Sequence, residues 1–379
     1  MAVFQFSALN DGQSIAFNPN ADVLSFSQGF FAGSMLATPV GADTRIDYFV
    51  GQREVGKSVI LQNTSPLQLA TSNVTFANGN LALFGDNSTA QNDNLANSLT
   101  GTSGSDLLQG FGGVDTLNGG LGGDTYVADP SDVLIDAGGD DMIVTDVSWT
   151  LGADFENLQM LGTGNLSVTG NNSNNLALGN SGNNYFNLRA GDDRIVAGAG
   201  NDWIDMSAFG TASYGNDMVD GGAGFDTINF AISAGQQSAI VVDLSAQSIR
   251  GGGLNGTGSV SVAGVEHVIG AAFNDSFKGS DAADSFEGRE GNDTLSGMAG
   301  NDTLIGGTGQ DTVSYAKLST SVTVDLSDLR LNDSSGVGAM VSLYKRIRAN
   351  GGEVRFVGVT AQPLVIFKLL RLDRAFELS

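Results

Sequence analysis

The chain contains no cysteine and only one histidine, and both facts restrict its chemistry. Without cysteine it forms neither disulfides nor thiolate metal sites. One histidine, His267, does not build an H-E-x-x-H zinc site, and no G-x-S-x-G nucleophile motif occurs. Carboxylate pairs of the glycosidase type are available among the many acidic residues, but no sequence feature supports that chemistry. The sequence therefore predicts that the protein is not an enzyme.

Positive charge is also scarce. The 379 residues include 17 Lys and Arg against 41 Asp and Glu, for a net charge of −24. Such an acidic surface repels nucleic acid and attracts cations, so we predict no nucleic-acid partner. The basic residues are concentrated at the end, where 9 of the 17 lie from Lys317 onward. This shift in composition predicts a different kind of segment there.

Long hydrophobic runs are missing as well. No stretch approaches the roughly 18 apolar residues that span a bilayer, so we predict no membrane span. The first residues, MAVFQFSALNDG, lack the basic start and continuous apolar run of a cleaved signal peptide. The sequence predicts a protein that is either cytoplasmic or exported without a cleaved N-terminal signal.

Glycine, in contrast, is abundant, with 54 residues, and it recurs with a nine-residue period. Three stretches fit G-G-x-G-x-D-x-U-x, where U is a large apolar residue: GGLGGDTYV (Gly119–Val127), GGAGFDTIN (Gly221–Asn229) and GGTGQDTVS (Gly306–Ser314). Degenerate copies adjoin them, which makes fourteen nonads in four blocks: 101–127, 170–205, 212–229 and 270–314. So many phased copies are a very specific signal of a repeat architecture.

The residue types of the nonad indicate what each position does. The U residue lies on a very short strand and points inward, while the glycines allow backbone angles closed to other residues. Two nonads then make one coil of a parallel β-helix. Aspartate side chains and loop carbonyls offer oxygen ligands to a hard cation, so folding should be linked to the ion. The candidate ligands are the sixth-position aspartates: Asp106, Asp115, Asp124, Asp193, Asp202, Asp217, Asp226, Asp275, Asp284, Asp293, Asp302 and Asp311.

The blocks resemble the calcium-binding β-roll of RTX, or hemolysin-type, repeat proteins over about Gly101 to Ser314. The resemblance implies several Ca²⁺ ions, each between same-side loops two nonads apart. It also implies a secreted protein whose partner is the type I secretion machinery, or a cytoplasmic protein if its C-terminal secretion signal has been lost. Departures from the pattern include asparagine at two sixth positions and residues other than glycine at fourth positions: Asn175, Asn184, Phe273 and Ala282. The pairs implied to share an ion are Asp106 with Asp124, Asn175 with Asp193, Asn184 with Asp202, Asp275 with Asp293 and Asp311, and Asp284 with Asp302.

Residues 1–90 contain no nonads and alternate apolar with polar residues, which predicts a small β-domain. ANGN at Ala77–Asn80 favours a hairpin turn. GQREVGKS (Gly51–Ser58) matches the phosphate-binding pattern G-x-x-x-x-G-K-[ST] literally. That loop needs a helix after it, whereas VILQ is β-branched and Pro66 follows. The match therefore predicts no nucleotide site.

The last residues change period again. GVGAMVSLYKRIRA predicts an amphipathic helix, EVRFVGV a strand, and PLVIFKLLRLDRAFEL a second helix. Together with the preceding VTVDLSDLRLNDSSG, they resemble the C-terminal half of a STAS domain, the anti-sigma-factor antagonist fold. The resemblance implies a phosphoacceptor at Ser334, directly after Asp333. Nonads stand where the family has its leading strands. We therefore expect Ser321–Leu326 to be both the last strand of the roll and the edge strand of the STAS-like segment. We also expect that an anti-sigma partner does not bind.

The sequence thus predicts a mainly β protein in three parts. Residues 1–90 form the N-terminal β-domain, 91–320 a parallel β-roll or β-helix solenoid of calcium-binding repeats, and 321–379 a short α/β segment. The predicted function is calcium binding by a secreted, non-enzymatic protein whose roll folds on calcium. Two alternatives stay open: a phospho-switch of the anti-sigma-factor antagonist kind, and a self-assembling surface-layer or adhesin subunit.

Overall fold

The computed structural model describes residues 1–50, 54–86, 94–206, 214–231, 238–253 and 256–314, and the backbone of three later strands. Across these residues the protein is mainly β and has no α-helix, as the sequence predicts. In this part of the chain no helix is long and apolar enough to cross a membrane. Short 3-10 turns occur at Phe6–Ala8, Ala32–Ser34, Pro66–Gln68 and Leu244–Ala246. The chain divides into two compact units, Met1–Leu161 and Gly162–Ser379.

The first unit begins with seven strands in two small sheets. These are β1 (Val3–Gln5), β2 (Gln13–Ala16), β3 (Val23–Phe26), β4 (Met35–Val40), β5 (Asp43–Val50), β6 (Glu54–Gln62) and β7 (Val74–Phe76). One sheet has the order β1-β3-β7 and is parallel. The other has the order β2-β6-β5-β4, with β4, β5 and β6 antiparallel. This region is the β-domain that alternation predicts.

Its interior is aromatic. Phe26 stacks between Phe6 and Phe76, with ring centroids 4.5 and 4.4 Å away, and Phe30 packs edge-on to Tyr48 at 4.8 Å. Phe6, Phe26, Tyr48 and Phe76 are all buried. Ring pairs of this kind add to the stabilisation that burial of their apolar surface supplies. The same core cluster also contains Ala82, Phe84 and Leu107 of the first strands of the roll.

Two local motifs of this domain have different outcomes. The hairpin prediction at Ala77–Asn80 is wrong: a turn forms there, but the strands that flank it pair elsewhere, β7 with β3 and Ala82–Phe84 with Leu107–Gln109. In the phosphate-loop look-alike, residues 51–53 lie outside the described residues, and Glu54–Gln62 is strand rather than helix. Lys57 Nζ donates to the carbonyl oxygen of Phe6 at 2.6 Å. Its backbone setting is that of a sheet, not of a phosphate-binding loop.

The first unit continues as a roll of short strands. These are β8 (Ala82–Phe84), β9 (Ser98–Thr100), β10 (Leu107–Gln109), β11 (Thr116–Asn118), β12 (Thr125–Val127), β13 (Val133–Ile135), β14 (Met142–Thr145), β15 (Trp149–Thr150) and β16 (Asn157–Met160). Parallel pairing links β8-β10-β12-β14-β16 on one side and β9-β11-β13 on the other. Leu107 pairs with Thr125, 18 residues later, so one coil contains two nonads.

The second unit repeats this architecture. Its strands are β17 (Ser167–Thr169), β18 (Leu176–Leu178), β19 (Tyr185–Asn187), β20 (Arg194–Val196), β21 (Trp203–Asp205), β22 (Asn216–Asp220), β23 (Thr227–Asn229), β24 (Ile240–Asp243), β25 (Ser248–Gly251), β26 (Ser259–Ala263), β27 (His267–Ile269), β28 (Ser276–Lys278), β29 (Ser285–Glu287), β30 (Thr294–Ser296), β31 (Asp302–Ile305) and β32 (Thr312–Val313). One side is parallel throughout, in the order β17-β19-β21-β23-β27-β29-β31. The other contains an insertion, because β25 lies antiparallel between β24 and β26.

Three later strands extend the parallel side: β33 (Ser321–Asp325), β34 (Glu353–Val357) and β35 (Glu377–Leu378). β33 pairs in parallel with β31 on one edge and with β34 on the other. The predicted shared strand is confirmed at the level of backbone pairing, and so is the predicted strand in EVRFVGV. The end of the second predicted helix is wrong, because Glu377–Leu378 pairs with β34 as a strand. The rest of both predicted helices lies outside the described residues.

Candidate metal centre

The sixth-position side chains of successive coils are joined by hydrogen bonds into ladders. In each step, a backbone N–H donates to a carboxylate oxygen of the corresponding side chain one coil later, which is Oδ1 for aspartate and Oε2 for glutamate. Asp106 N donates to Asp124 Oδ1 at 2.8 Å. Asp275 N donates to Asp293 Oδ1 at 2.7 Å, and Asp293 N to Asp311 Oδ1 at 3.0 Å. The carboxylates are therefore stacked at the spacing of one coil.

All twelve candidate aspartates lie in such ladders. The predicted pairs are all connected by these hydrogen bonds, and each pair is 18 residues apart. Two further steps, Asp193 to Asp217 and Asp202 to Asp226, are 24 residues long because their coils contain an insertion. The ladders of the described residues are Asp106-Asp124-Asp141-Glu156, Asp115-Asp132, Asn175-Asp193-Asp217, Asn184-Asp202-Asp226-Glu266, Asp275-Asp293-Asp311 and Asp284-Asp302.

Most of these carboxylates are buried, and several have an oxygen without a partner. Asp311 is half-buried, whereas the other eleven candidates are buried. The second oxygen, Oδ2, is buried and accepts no hydrogen bond in six aspartates of the ladders: Asp124, Asp141, Asp202, Asp226, Asp293 and Asp302. An ionised carboxylate is costly to bury without compensation. These oxygens therefore need either a proton or a cation.

The pKa values show the same imbalance. Burial is the first cause that raises the pKa of Asp217 to about 8 and the pKa values of Asp193 and Asp275 to about 7. Neighbouring ladder carboxylates raise them further, Asp193 acting on Asp217 and Asp293 on Asp275. Hydrogen bonds from the backbone act in the opposite direction but do not outweigh burial. Charge compensation by a cation would reverse this balance.

Backbone carbonyls supply further oxygens beside the ladders. A Cβ on Gly120, whose φ is +100°, would lie 2.2 Å from the Thr102 carbonyl oxygen one coil earlier. A Cβ on Gly122, with φ of +118°, would lie 2.5 Å from the Gly104 oxygen. Glycine is therefore needed here for two reasons: the left-handed backbone and the close approach of a carbonyl. Carbonyl and carboxylate oxygens together are the donor set that Ca²⁺ prefers, so the residues fit a calcium ion.

The departures from the nonad pattern are accommodated at the starts of blocks. The Phe273 oxygen would lie 2.1 Å from a Cβ on Gly291, and the Ala282 oxygen 1.9 Å from a Cβ on Gly300. The position that must have no side chain is therefore the one in the following coil, and it is glycine in both cases. Asn175 and Asn184 each begin a ladder, and their Oδ1 atoms accept from Asn171 N and Asn180 N at 3.0 Å. They keep the loop geometry but contribute no charge.

Motif searching missed five acidic residues: Asp132, Asp136, Asp141, Glu156 and Glu266. Four of them extend ladders beyond the nonads, and Asp136 joins Asp124 and Asp141 in one cluster. The four ladder residues share a signal that could have found them, because each lies two residues before an apolar residue (Leu134, Ile143, Leu158 or Val268). The minimal unit of the ladder is therefore an acidic residue, any residue, and an inward apolar residue.

His267, the single histidine, takes no part in the ladders described. His267 lies on β27, where its Nδ1 is 3.2 Å from Thr227 Oγ1 and its ring is 5.8 Å from that of Phe225. Burial lowers the pKa of His267, which favours the neutral ring. Ser334 lies outside the described residues. The structure thus gives His267 a packing role.

Comparison with known families agrees with this geometry. A family model for the RTX calcium-binding nonapeptide repeat, in four copies, matches residues 92–126, 169–204 and 211–229. A family model for the STAS domain matches residues 276–379. The chain therefore carries RTX calcium-binding nonapeptide repeats and a C-terminal STAS match, as the resemblances predict. The comparison with curated proteins finds no match.

The STAS match overlaps the fourth predicted block of nonads. The STAS match begins at residue 276, whereas the nonads predicted for 270–314 run past that point. There β28 pairs with β30 and β29 with β31, in parallel and with an 18-residue register. Residues 276–313 therefore have the strand pairing of the roll, although a STAS model covers them. The segment boundaries at 90 and 320 stay predictions.

Proposed function

We propose that this protein binds several calcium ions between the coils of its roll and that the roll folds on binding them. The observation that carries the proposal is the set of six buried, partnerless Oδ2 atoms on carboxylates stacked at one-coil spacing. Buried like charges at this spacing oppose folding unless a cation neutralises them. The match to RTX calcium-binding repeats supports calcium as that cation.

The ligands would be the twelve sixth-position aspartates, with carbonyl oxygens of the glycine loops beside them. Calcium accepts six to eight oxygen ligands in flexible geometry, whereas magnesium demands a small octahedral shell. Loops made of backbone carbonyls suit the larger ion. When bound, the ion supplies positive charge between coils. The chain's own residues position it through the Oδ1 hydrogen bonds that hold each carboxylate in line.

We also propose a secreted, non-enzymatic role, with export by type I secretion machinery. The RTX repeats, the absence of cysteine and the strongly acidic composition support it. Finding the full-length protein in the culture medium of the producing cells would support export. Retention of all of it in the cytoplasm would contradict it.

The calcium proposal is tested by circular dichroism of the full-length protein in chelator, in magnesium and in millimolar calcium. Calcium should raise the β-sheet signal cooperatively, and magnesium at the same concentration should not. Identical spectra under all three conditions would contradict the proposal. Equilibrium dialysis with calcium on the same samples gives the number of ions bound.

A second candidate function is the phospho-switch of STAS domains, which the match over 276–379 favours. Ser334 would be the phosphoacceptor. We rank it lower because nonad strands occupy the part of that match where kinase-recognising strands are expected. Incubation with anti-sigma kinases and ATP tests this ranking, with Ser334→Ala as the control. Stoichiometric phosphate on Ser334 would reverse it.

A further inference from the structure

The coil directly after the first block of nonads differs from the nonads at its first position. Met142–Val144 pairs in parallel with Thr125–Val127, which places Asp141 at the sixth position of DAGGDDMIV and Asp136 at the first. The first segment of the nonapeptide-repeat match ends before this coil, at residue 126, and the next begins at residue 169. Aspartate thus stands where most nonads have glycine.

The first position of a nonad lies against the carboxylate of its own coil. A Cβ on Gly119 would lie 2.2 Å from Asp124 Oδ2, and a Cβ on Gly297 would lie 2.2 Å from Asp302 Oδ2. A side chain at this position therefore has to lie beside the sixth-position carboxylate. In this coil, Asp136 brings a further carboxylate to the point where a ladder carboxylate already lies.

Three carboxylates converge as a result. One carboxylate oxygen each from Asp124, Asp136 and Asp141 lies within 4.8 Å of the others. The Oδ1 atoms of Asp124 and Asp141 accept from the N–H groups of Asp106 and Asp124, at 2.8 and 2.7 Å. Their Oδ2 atoms are buried and accept no hydrogen bond. The cluster therefore includes two buried side chains, each with one carboxylate oxygen that accepts no hydrogen bond from the described residues.

The third carboxylate is oriented by its neighbours. Tyr126 Oη lies 3.0 Å from Asp136 Oδ1, and Gly138 N donates to Asp136 Oδ2 at 2.6 Å. Tyr126 itself is buried, with its ring edge-on to Phe155 at 5.3 Å. Asp136 is only half-buried, so the cluster is reached from its side. A group that orients a ligand in this way commonly strengthens metal binding.

The electrostatics of the cluster call for a cation. The charged neighbours that act on Asp141 are Asp136 and Asp124, both acidic, and they add to the effect of burial on its pKa. Three like charges this close, two of them buried, repel one another strongly without compensation. All the donors are oxygens, which hard cations prefer.

We propose that Asp124, Asp136 and Asp141 form a tricarboxylate site for a hard di- or trivalent cation, which fills before the loops of the regular nonads. Affinity rises with the number of charged ligands, and a regular ladder step offers two carboxylates where this one offers three. This site rests in part on the proposed function, because Asp124 is also one of the twelve proposed calcium ligands of the nonads.

Terbium is the probe, because its luminescence is sensitised by a nearby tyrosine and it takes the oxygen ligands of calcium. In full-length protein, luminescence excited through tyrosine should rise at lower terbium concentration than the circular dichroism change. Asp136→Gly restores the nonad residue and should weaken this first phase about tenfold or more. Asp136→Asn should act in the same direction. Tyr126→Phe should abolish the first luminescence phase while the number of calcium ions bound in dialysis stays the same.

The control is Asp154→Asn, which removes one charge from an exposed aspartate of the same unit and should leave the first phase unchanged. An unaltered first phase in both Asp136 variants would overturn the site. Failure of the nonad proposal looks different: no calcium-dependent rise in β-sheet signal, but a first phase that still depends on Asp136.

Discussion

The N-terminal β-domain and the fourth block of nonads, residues 270–314, are both made of short strands, but their interiors differ. In the N-terminal domain, rings from separate strands stack on one another, with Phe26 4.5 and 4.4 Å from Phe6 and Phe76. In the fourth block each strand from β28 to β31 buries one apolar residue, such as Phe286 or Leu295, beside ladders of mostly buried aspartates. One interior is apolar, and the other is shared between apolar side chains and carboxylates.

This difference indicates which region is stable without a bound cation. Burial of apolar surface stabilises a fold in any buffer, at about 25 cal/mol per Å². Burial of carboxylates destabilises it unless a positive charge lies among them. The N-terminal domain should therefore stay folded without calcium, whereas the nonads should fold only when calcium is bound.

Removal of calcium should separate the two regions, and this is the largest effect that we expect. In chelator, amides of β28 to β31 should exchange with solvent fast, because the ladder carboxylates repel one another. Amides of β5 and β6 should stay protected, since their core contains no ladder. Hydrogen exchange followed by mass spectrometry resolves both segments in one experiment. Equal loss of protection in the two regions would remove the distinction.

A substitution in the aromatic core should destabilise the N-terminal domain, which calcium removal leaves folded. Phe26→Ala should lower the free energy of unfolding of the N-terminal domain by about 3–5 kcal/mol, with or without calcium, because it removes a buried ring and leaves a cavity. Denaturant unfolding followed by hydrogen exchange at β5 and β6 measures this. Val55→Ala, at an exposed site of the same domain, is the matched control. Rescue of Phe26→Ala by calcium would contradict the independence of this core.

Within the roll, an interior ladder position should matter more than a terminal one. Asp293 accepts from Asp275 N and donates to Asp311 Oδ1, so Asp293→Ala should remove ligands from two ions and leave a buried N–H unpaired. The unpaired group alone costs about 1–3 kcal/mol. Asp217 accepts from Asp193 N, but its own backbone pairs with Val260, which carries no carboxylate. Asp217→Ala should therefore remove ligands from one ion only. Calcium titration calorimetry measures the loss of binding in both variants. A larger loss in Asp217→Ala than in Asp293→Ala would contradict the proposed stacking of the ions along the ladders.

Protonation of the ladder aspartates should partly stabilise the roll in the absence of calcium, and this is the smallest effect that we expect. Burial foremost raises the pKa of Asp275 to about 7 and those of Asp293 and Asp302 to about 6, against about 3.9 in an unfolded chain. A raised folded pKa contributes stability that is present below pH about 4 and lost as pH rises through 6 to 7. In chelator, the roll should thus have more β-sheet signal at pH 5 than at pH 8.

With calcium present, the pH dependence should reverse, because the ligands must lose their protons to bind the ion. Circular dichroism from pH 4 to 8, with and without calcium, tests both directions. The same direction in both buffers would show that the ladder carboxylates do not control folding.

Much of the roll and its candidate site follows from the sequence. Nine of the twelve aspartates could be paired in advance because two nonads make one coil, and residues 18 apart then occupy the same position in adjacent coils. Asp115, Asp217 and Asp226 had no partner assigned. The step from Asp193 to Asp217 follows less directly, since six further residues lie in that coil. Asp141 was missed because it lies 17 residues after Asp124, out of phase with the nine-residue period, and Glu266 because its position has glutamate in place of aspartate. Asp136 was missed because it lies at the first position of its coil rather than the sixth.

What the sequence by itself determined is the period: which residues face inward, which bear the carboxylates, and where the aromatic core gives way to nonads. The tertiary structure alone decided which strand meets which. IVVD in β24 and VTVD in β33 are nearly the same sequence, yet β24 joins an antiparallel β25 and β33 joins two parallel strands. Side-chain alternation is a local property of the chain, whereas a strand pairs with whichever neighbour presents an open edge of matching register.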